Sequence, residues 1–187
     1  MIKKKIIIVF FFLSFFNISY ADYQKKIILN LKKINNLSFE FKQTINEKTE
    51  NGSCIIEYPK KIFCAYDNDK KKIIVSNGKS LVIKNKHKNQ YYIYKLSKTP
   101  LELILDKNFL IEQIKKKKAK IINNKYINFA IINNNNKINI FFDKKELNLI
   151  GWQTEDIYQN LVITFIYKIK VNQKIDKKKF ILPRNIQ

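Results

Sequence analysis

Cys54 and Cys64 are the chain's only two cysteines, and their spacing is the plainest invitation to chemistry in the sequence. They sit at like-facing positions of two strand-like segments joined by a turn at Pro59-Lys60-Lys61. In an oxidising compartment such a pair can close a cross-strand disulfide. Two separate buried thiols or a metal site are the other readings, and a register one pair off would hold the Cα atoms too far apart to bond. His87 stands alone among Lys84, Asn85, Lys86, Lys88 and Asn89. It reads as a solvated loop residue, because metal sites need several ligands at set spacing. Asp143, Glu146, Glu155 and Asp156 fall near turns, where they keep the surface soluble. No Gly-rich phosphate loop, G-x-S-x-G elbow or paired catalytic carboxylates stand out. The residues therefore predict no catalysis, no metal and no cofactor.

The remaining chemistry is apolar. Leu37, Phe39 and Phe41 alternate with Ser38, Glu40 and Lys42, which gives a strand with one greasy face and one wet face. Cys54, Ile56 and Tyr58 continue the pattern, and Ile62, Cys64 and Tyr66 carry it on the return strand. Asn77-Gly78, between Lys72–Ser76 and Ser80–Asn85, is a strong hairpin signal. Gln90–Leu96 makes a further strand, and others are predicted at 116–123, 126–133, 137–143, 146–155, 159–168 and 174–182. The Asn133–Asn136 run reads as a polar turn. Extending the alternation gives an inward set of Phe39, Phe41, Ile56, Ile62, Tyr66, Ile83, Tyr92, Phe129, Ile140, Phe142, Trp152, Phe165 and Phe180. Large stiff rings on a curved sheet can line a hollow, although the same pattern also suits a filled core.

Two helical segments must cover that face. Tyr23, Ile27, Leu31 and Ile34 form one stripe, with Asp22 as the expected N-cap. Thr99 is the expected cap of a second, short helix over Leu101–Asp106, with Pro100 at its first position. The order is thus a helix, five or six strands, a helical insertion, then five or six more strands. Strands that do not alternate with crossover helices exclude a parallel α/β sheet. The apolar face of a curved antiparallel sheet must be closed on itself or plugged. The prediction is a mainly β fold: an incomplete antiparallel barrel of about eleven strands under an α-helical lid. Ile27, Leu31, Ile34, Leu101, Ile104 and Leu105 are its expected lid residues.

The N-terminus speaks to location. Lys3, Lys4 and Lys5 precede an apolar stretch from Ile6 to Phe16, and Ser19 and Ala21 stand where a signal peptidase needs small residues. Eleven residues are too few for a spanning helix, which takes about 20. A cleaved signal over 1–21 fits better than an anchor and leaves one domain over 22–187. Losing three lysines lowers the formal net charge from +22 to +19. The lysines are scattered and come with an excess of Ile and Asn, which share A/T-rich codons. They read first as a solvated outer surface and second as an attraction to anionic lipid headgroups. Nucleic acid is the least fitting partner for an exported chain.

The ordered motifs add a resemblance. Ser38-Phe39-Glu40-Phe41-Lys42-Gln43-Thr44 is followed by the stretch from Asn51-Gly52 to Tyr66 with its proline turn. Ile74-Val75-Ser76-Asn77-Gly78-Lys79-Ser80-Leu81 and Thr99-Pro100-Leu101-Glu102-Leu103-Ile104-Leu105 come next, and then Leu149-Ile150-Gly151-Trp152-Gln153-Thr154. Together with Asp156, Thr164, Asn172, Asp176, Phe180 and Pro183, the set resembles the LolA family over residues 22–183. The resemblance implies a hydrophobic cavity for acyl chains and a periplasmic carrier of outer-membrane lipoproteins. It implies cargo taken from an inner-membrane ABC exporter of the LolCDE kind and carried across the periplasm, with the existence of a dedicated outer-membrane acceptor left open. A monomer in transient contact with the membrane surface is the accompanying expectation. A lipoprotein- or lipid-sensing regulator on the same half-barrel is the alternative. The family often has Arg just before the turn proline, where it latches the lid. Tyr58 stands there in this chain and becomes the expected latch.

Overall fold

The computed structural model describes residues 20–67, 71–85, 90–133, 136–156 and 159–183. Residues 1–19 of the expected signal, His87, and Asn134 and Asn135 of the polar run lie outside the described residues. Helix α1 spans Tyr20–Lys33. It begins two residues before Asp22, so that carboxylate lies inside the first turn rather than at the cap. There its charge favours the positive helix end, and it pairs with Lys26 at 2.7 Å.

Six strands follow: β1 (Asn36–Ile45), β2 (Lys48–Glu57), β3 (Lys61–Tyr66), β4 (Lys72–Asn77), β5 (Ser80–Asn85) and β6 (Gln90–Lys95). A helical insertion then holds a 3-10 turn at Leu96–Lys98, α2 (Leu101–Leu105) and α3 (Lys107–Lys116). Five strands complete the sheet: β7 (Lys120–Ile122), β8 (Tyr126–Asn133), β9 (Asn136–Asp143), β10 (Leu149–Glu155) and β11 (Leu161–Val171). All pairings are antiparallel, in the order β6-β5-β4-β3-β2-β1-β11-β10-β9-β8-β7. Two long strands, β1 and β11, meet at the centre, and β6 and β7 remain as open edges. Irregular register in β1–β11 and again in β9–β10 adds bend and twist. The result is an incomplete barrel with the three helices on its concave, apolar side.

Three local expectations change. Residues 116–123 are the end of α3 and only a three-residue strand. Asp106 starts α3 by accepting a hydrogen bond from the Phe109 amide at 3.0 Å. The buried stripe Leu110, Ile111 and Ile114 then keeps helical spacing. Thr99 does not cap α2. Its hydroxyl donates instead to the Leu96 carbonyl at 2.8 Å, while Pro100 already has helical dihedrals. Residues 174–182 are not a strand either. Asp176 accepts from the Lys178 amide and starts a 3-10 turn over Lys177–Phe180. Between β4 and β5, Gly78 supplies the positive φ (98°), and the Asn77 side chain holds the amides of Lys79 and Ser80.

Candidate functional site

The concave face is packed on one side and hollow on the other. Beneath α2 lies a cavity of about 500 Å³, within the range of roughly 300–1,000 Å³ usual for ligand pockets. Its apolar wall comes from β3–β6 and α2: Ile62, Ile74, Leu81, Ile83, Tyr92, Tyr94, Leu101 and Ile104. Cys54 and Cys64 also lie on this wall and are bonded to each other. They are direct register partners, with Cα atoms 4.1 Å apart. At the far end, Gln43, Thr154, Glu155, Asp156 and Thr164 give the wall a polar patch.

Of the predicted inward set, Phe41, Ile62, Tyr66, Ile83, Tyr92 and Trp152 line the cavity. Tyr92 is 47% exposed and stands at the mouth. Phe39, Ile56, Phe129, Ile140 and Phe142 are buried in the packed side instead. Phe129 and Phe142 meet edge to face at 5.9 Å. Trp152 marks the boundary, touching Phe39 edge-on at 6.3 Å while also lining the hollow.

Two members are corrected. Phe165 lies on the outer face, 43% exposed, stacked on Phe141 at 6.1 Å and near Tyr126 at 6.5 Å. Both faces of β11 carry apolar residues, so alternation alone does not reveal which one turns inward. Val162, Thr164 and Ile166 take the inner positions. Phe180 is buried, but outside the main core, where its 3-10 turn packs against β3 and β4. Lys61 and Phe63 face that side, with the Lys61 ammonium 5.9 Å from the Phe180 ring.

The helices seal the concave side with Ile27 and Leu31 of α1, Leu103, Ile104 and Leu105 of α2, and Leu110, Ile111 and Ile114 of α3. Ile34 and Leu101 are partly buried against the same core. Gln24 of α1 donates to the carbonyls of Ile114 and Lys117, closing α1 onto the end of α3.

The lid is tied down by Lys60 rather than Tyr58. Lys60 takes a left-handed conformation (φ 66°), and its amide donates to the Leu105 carbonyl at 2.9 Å. Its ammonium reaches Glu102 at 3.0 Å and Asp106 at 3.2 Å, one carboxylate at each end of α2. These hydrogen bonds raise the Lys60 pKa above its ordinary value. The Tyr58 hydroxyl, the expected latch, is buried without a hydrogen-bond partner among the described residues. That burial pushes its pKa up and keeps it neutral. The extended reach of a lysine two positions on, past the turn proline, does what the tyrosine cannot.

The described residues form a lidded half-barrel around a largely apolar hollow. Among the described residues, no group of His, Cys, Asp or Glu could hold a metal ion. The chain belongs to the LolA family: the model for outer membrane lipoprotein carrier protein LolA matches residues 32–182. No curated protein matches the sequence. The fold resembles that of an uncharacterized conserved protein from Thermus thermophilus, with TM-score 0.52 and 6% identity over 89% of this chain and 96% of that one. A LolA superfamily protein from Nitrosomonas europaea matches with TM-score 0.45 and 7% identity, over 85% of this chain and 97% of that one. The MucA/MucB complex of Pseudomonas aeruginosa contains a match with TM-score 0.47 and 8% identity, over 90% of this chain and 62% of that one.

Proposed function

We propose that this protein is a periplasmic carrier that holds the acyl chains of lipoproteins released from the inner membrane and delivers them to the outer membrane. Family membership supports the class, and the hollow beneath α2 is the observation that carries the reading. Each buried CH₂ is worth about 0.8 kcal/mol, so an anchor with two or three chains does not leave a membrane for water unaided. A carrier must offer comparable burial and still let go. Leu101 and Ile104 already occupy part of the space that chains would fill. Displacing them subtracts from affinity and keeps transfer reversible.

Residues 1–21 act in this reading as the export signal, and 22–187 as the carrier domain. Cargo comes from an ABC exporter of the LolCDE kind and leaves to an outer-membrane acceptor. Lys115–Lys118 and Lys120 border a second hollow of about 640 Å³ at the end of α3, and their charge suits brief contact with anionic headgroups. The test mixes the purified protein with membranes holding radiolabelled lipoprotein and a competent exporter, then adds ATP. A soluble labelled complex is expected. Label that stays in the membrane contradicts the proposal.

A further inference from the structure

The polar end of the cavity is built, not incidental. Gln43 and Thr164 are direct register partners on β1 and β11. The Gln43 amide donates to the Thr164 hydroxyl at 2.9 Å, and the Tyr66 hydroxyl donates to the Gln43 carbonyl at 3.2 Å. All three residues line the hollow. The tyrosine is fixed from two sides. Phe41 meets its ring edge-on at 4.9 Å, and the Lys72 ammonium, itself paired with Glu50, lies 3.7 Å from the ring centroid. Gly52 makes the ring contact across β2 feasible, since a Cβ there would come within 2.9 Å of Phe41 and 2.2 Å of the Ala65 carbonyl. Burial, reinforced by the charge of Glu50, raises the Tyr66 pKa and keeps the hydroxyl protonated.

The donors in this chain of side chains exceed the acceptors they use. Tyr66 and Thr164 bring one donor each and the Gln43 amide brings two, but the two links use only half of them. Turning the Gln43 amide over changes which hydroxyl is left and not the count. Among the described residues, one amide N–H and one hydroxyl thus remain on a cavity wall whose other residues are mostly apolar. An alkyl chain cannot use them. An ester carbonyl can, because it accepts hydrogen bonds and donates none, and burying it unpaired costs affinity.

We propose that Tyr66, Gln43 and Thr164 form a binding site for ester carbonyls at the head of an acylated anchor, fixing which way the cargo lies. The assignment rests on the carrier reading above. The glyceryl head then sits at the β1–β11 end, and the tails run along Ile83 and under Leu101 and Ile104. Gln43 and Thr164 are specificity residues, and Gly52 and Phe41 act through Tyr66.

The test titrates the purified protein with a dipalmitoyl lipopeptide carrying ester-linked chains and with its ether-linked analogue, which keeps the chains but lacks the carbonyls. The native protein should prefer the ester form by about tenfold, the value of one or two net hydrogen bonds. Removing every donor at once, with Tyr66→Phe, Gln43→Leu and Thr164→Val in one protein, should bring that ratio close to one. Thr164→Val alone frees the Gln43 N–H it held and should keep most of the preference. Equal affinity of the native protein for both lipopeptides overturns the site and leaves the carrier reading standing. A triple variant that still melts cooperatively and keeps the ester preference overturns it too. Failure to bind either lipopeptide removes the carrier reading, and this site with it.

Discussion

The two sides of the concave face obey the same alternation and end differently. On the β7–β9 side, Ile127, Phe129, Ile131, Ile138 and Phe142 have no exposed surface. On the β3–β6 side, residues of the same types surround a hollow. Ring content does not separate them, since Phe129 and Phe142 belong to the filled side. What differs is the cover. Helix α3 is ten residues long and buries Leu110, Ile111 and Ile114 in the same core as those residues. Helix α2 is five residues long, and Leu101 and Ile104 are its only side chains on the cavity wall. A short helix tied at both ends by one lysine covers the hollow without filling it.

The largest expected effect breaks the filled side. Phe129→Ala or Phe142→Ala should cost about 3–5 kcal/mol in urea unfolding. Tyr92→Ala at the cavity mouth should cost less than about 1 kcal/mol, as for an exposed site. Equal losses would mean that the two sides do not differ as described. The Cys54–Cys64 bond comes next. It closes a short loop, with a sequence separation of 10, so reduction or the double Cys→Ala change should lower stability by about 2–3 kcal/mol in the chain-entropy model. An unchanged denaturation midpoint would show that the hollow side needs no such brace.

Lys60→Met should cost only about 1 kcal/mol or less, because the pairs are partly solvated. Its sharper readout is the lid: labelling of an Ile104→Cys protein by a water-soluble maleimide should speed up when Lys60 is lost. The same tie gives a pH sign. The folded pKa of Lys60 is raised, so its contribution is fully present below the unfolded value of 10.5 and fades as pH rises through the higher folded value. Labelling is measured relative to a free cysteine peptide at the same pH, which removes the effect of thiol ionisation. It should therefore accelerate only in strong alkali, and a relative acceleration near neutral pH would contradict this origin. The smallest effect is expected at Phe165→Ser on the outer face: under about 1 kcal/mol of stability and no change in lipid binding.

Much of this was legible in the residues. Alternation in Leu37–Lys42 and the Asn77-Gly78 turn identify strands, and the ordered motifs carry the family. The strand count and lid follow from them. Other features depend on contacts distant in sequence. Phe165 has apolar neighbours on both faces of its strand, and its outer-face contacts with Gly151, Phe141 and Tyr126 come from other strands. The α3 cap at Asp106 was visible in type but hidden behind the adjacent α2 pattern. Lys60 looked like one more surface lysine, since nothing local shows that Glu102 and Asp106 come down beside it. Gln43 stood in a motif, yet its partners Tyr66 and Thr164 meet it only when β1, β3 and β11 share a face.

The central claim is that acyl chains enter the hollow under α2 and not the packed side. A lipopeptide bearing a photoreactive group near the end of one palmitoyl chain, bound and irradiated, tests it most directly by mass mapping. Adducts are expected at Leu101, Ile104, Ile83 and Tyr92. Adducts concentrated at Phe129, Phe142 or Ile138, or none above background in the presence of saturating lipopeptide, would contradict it.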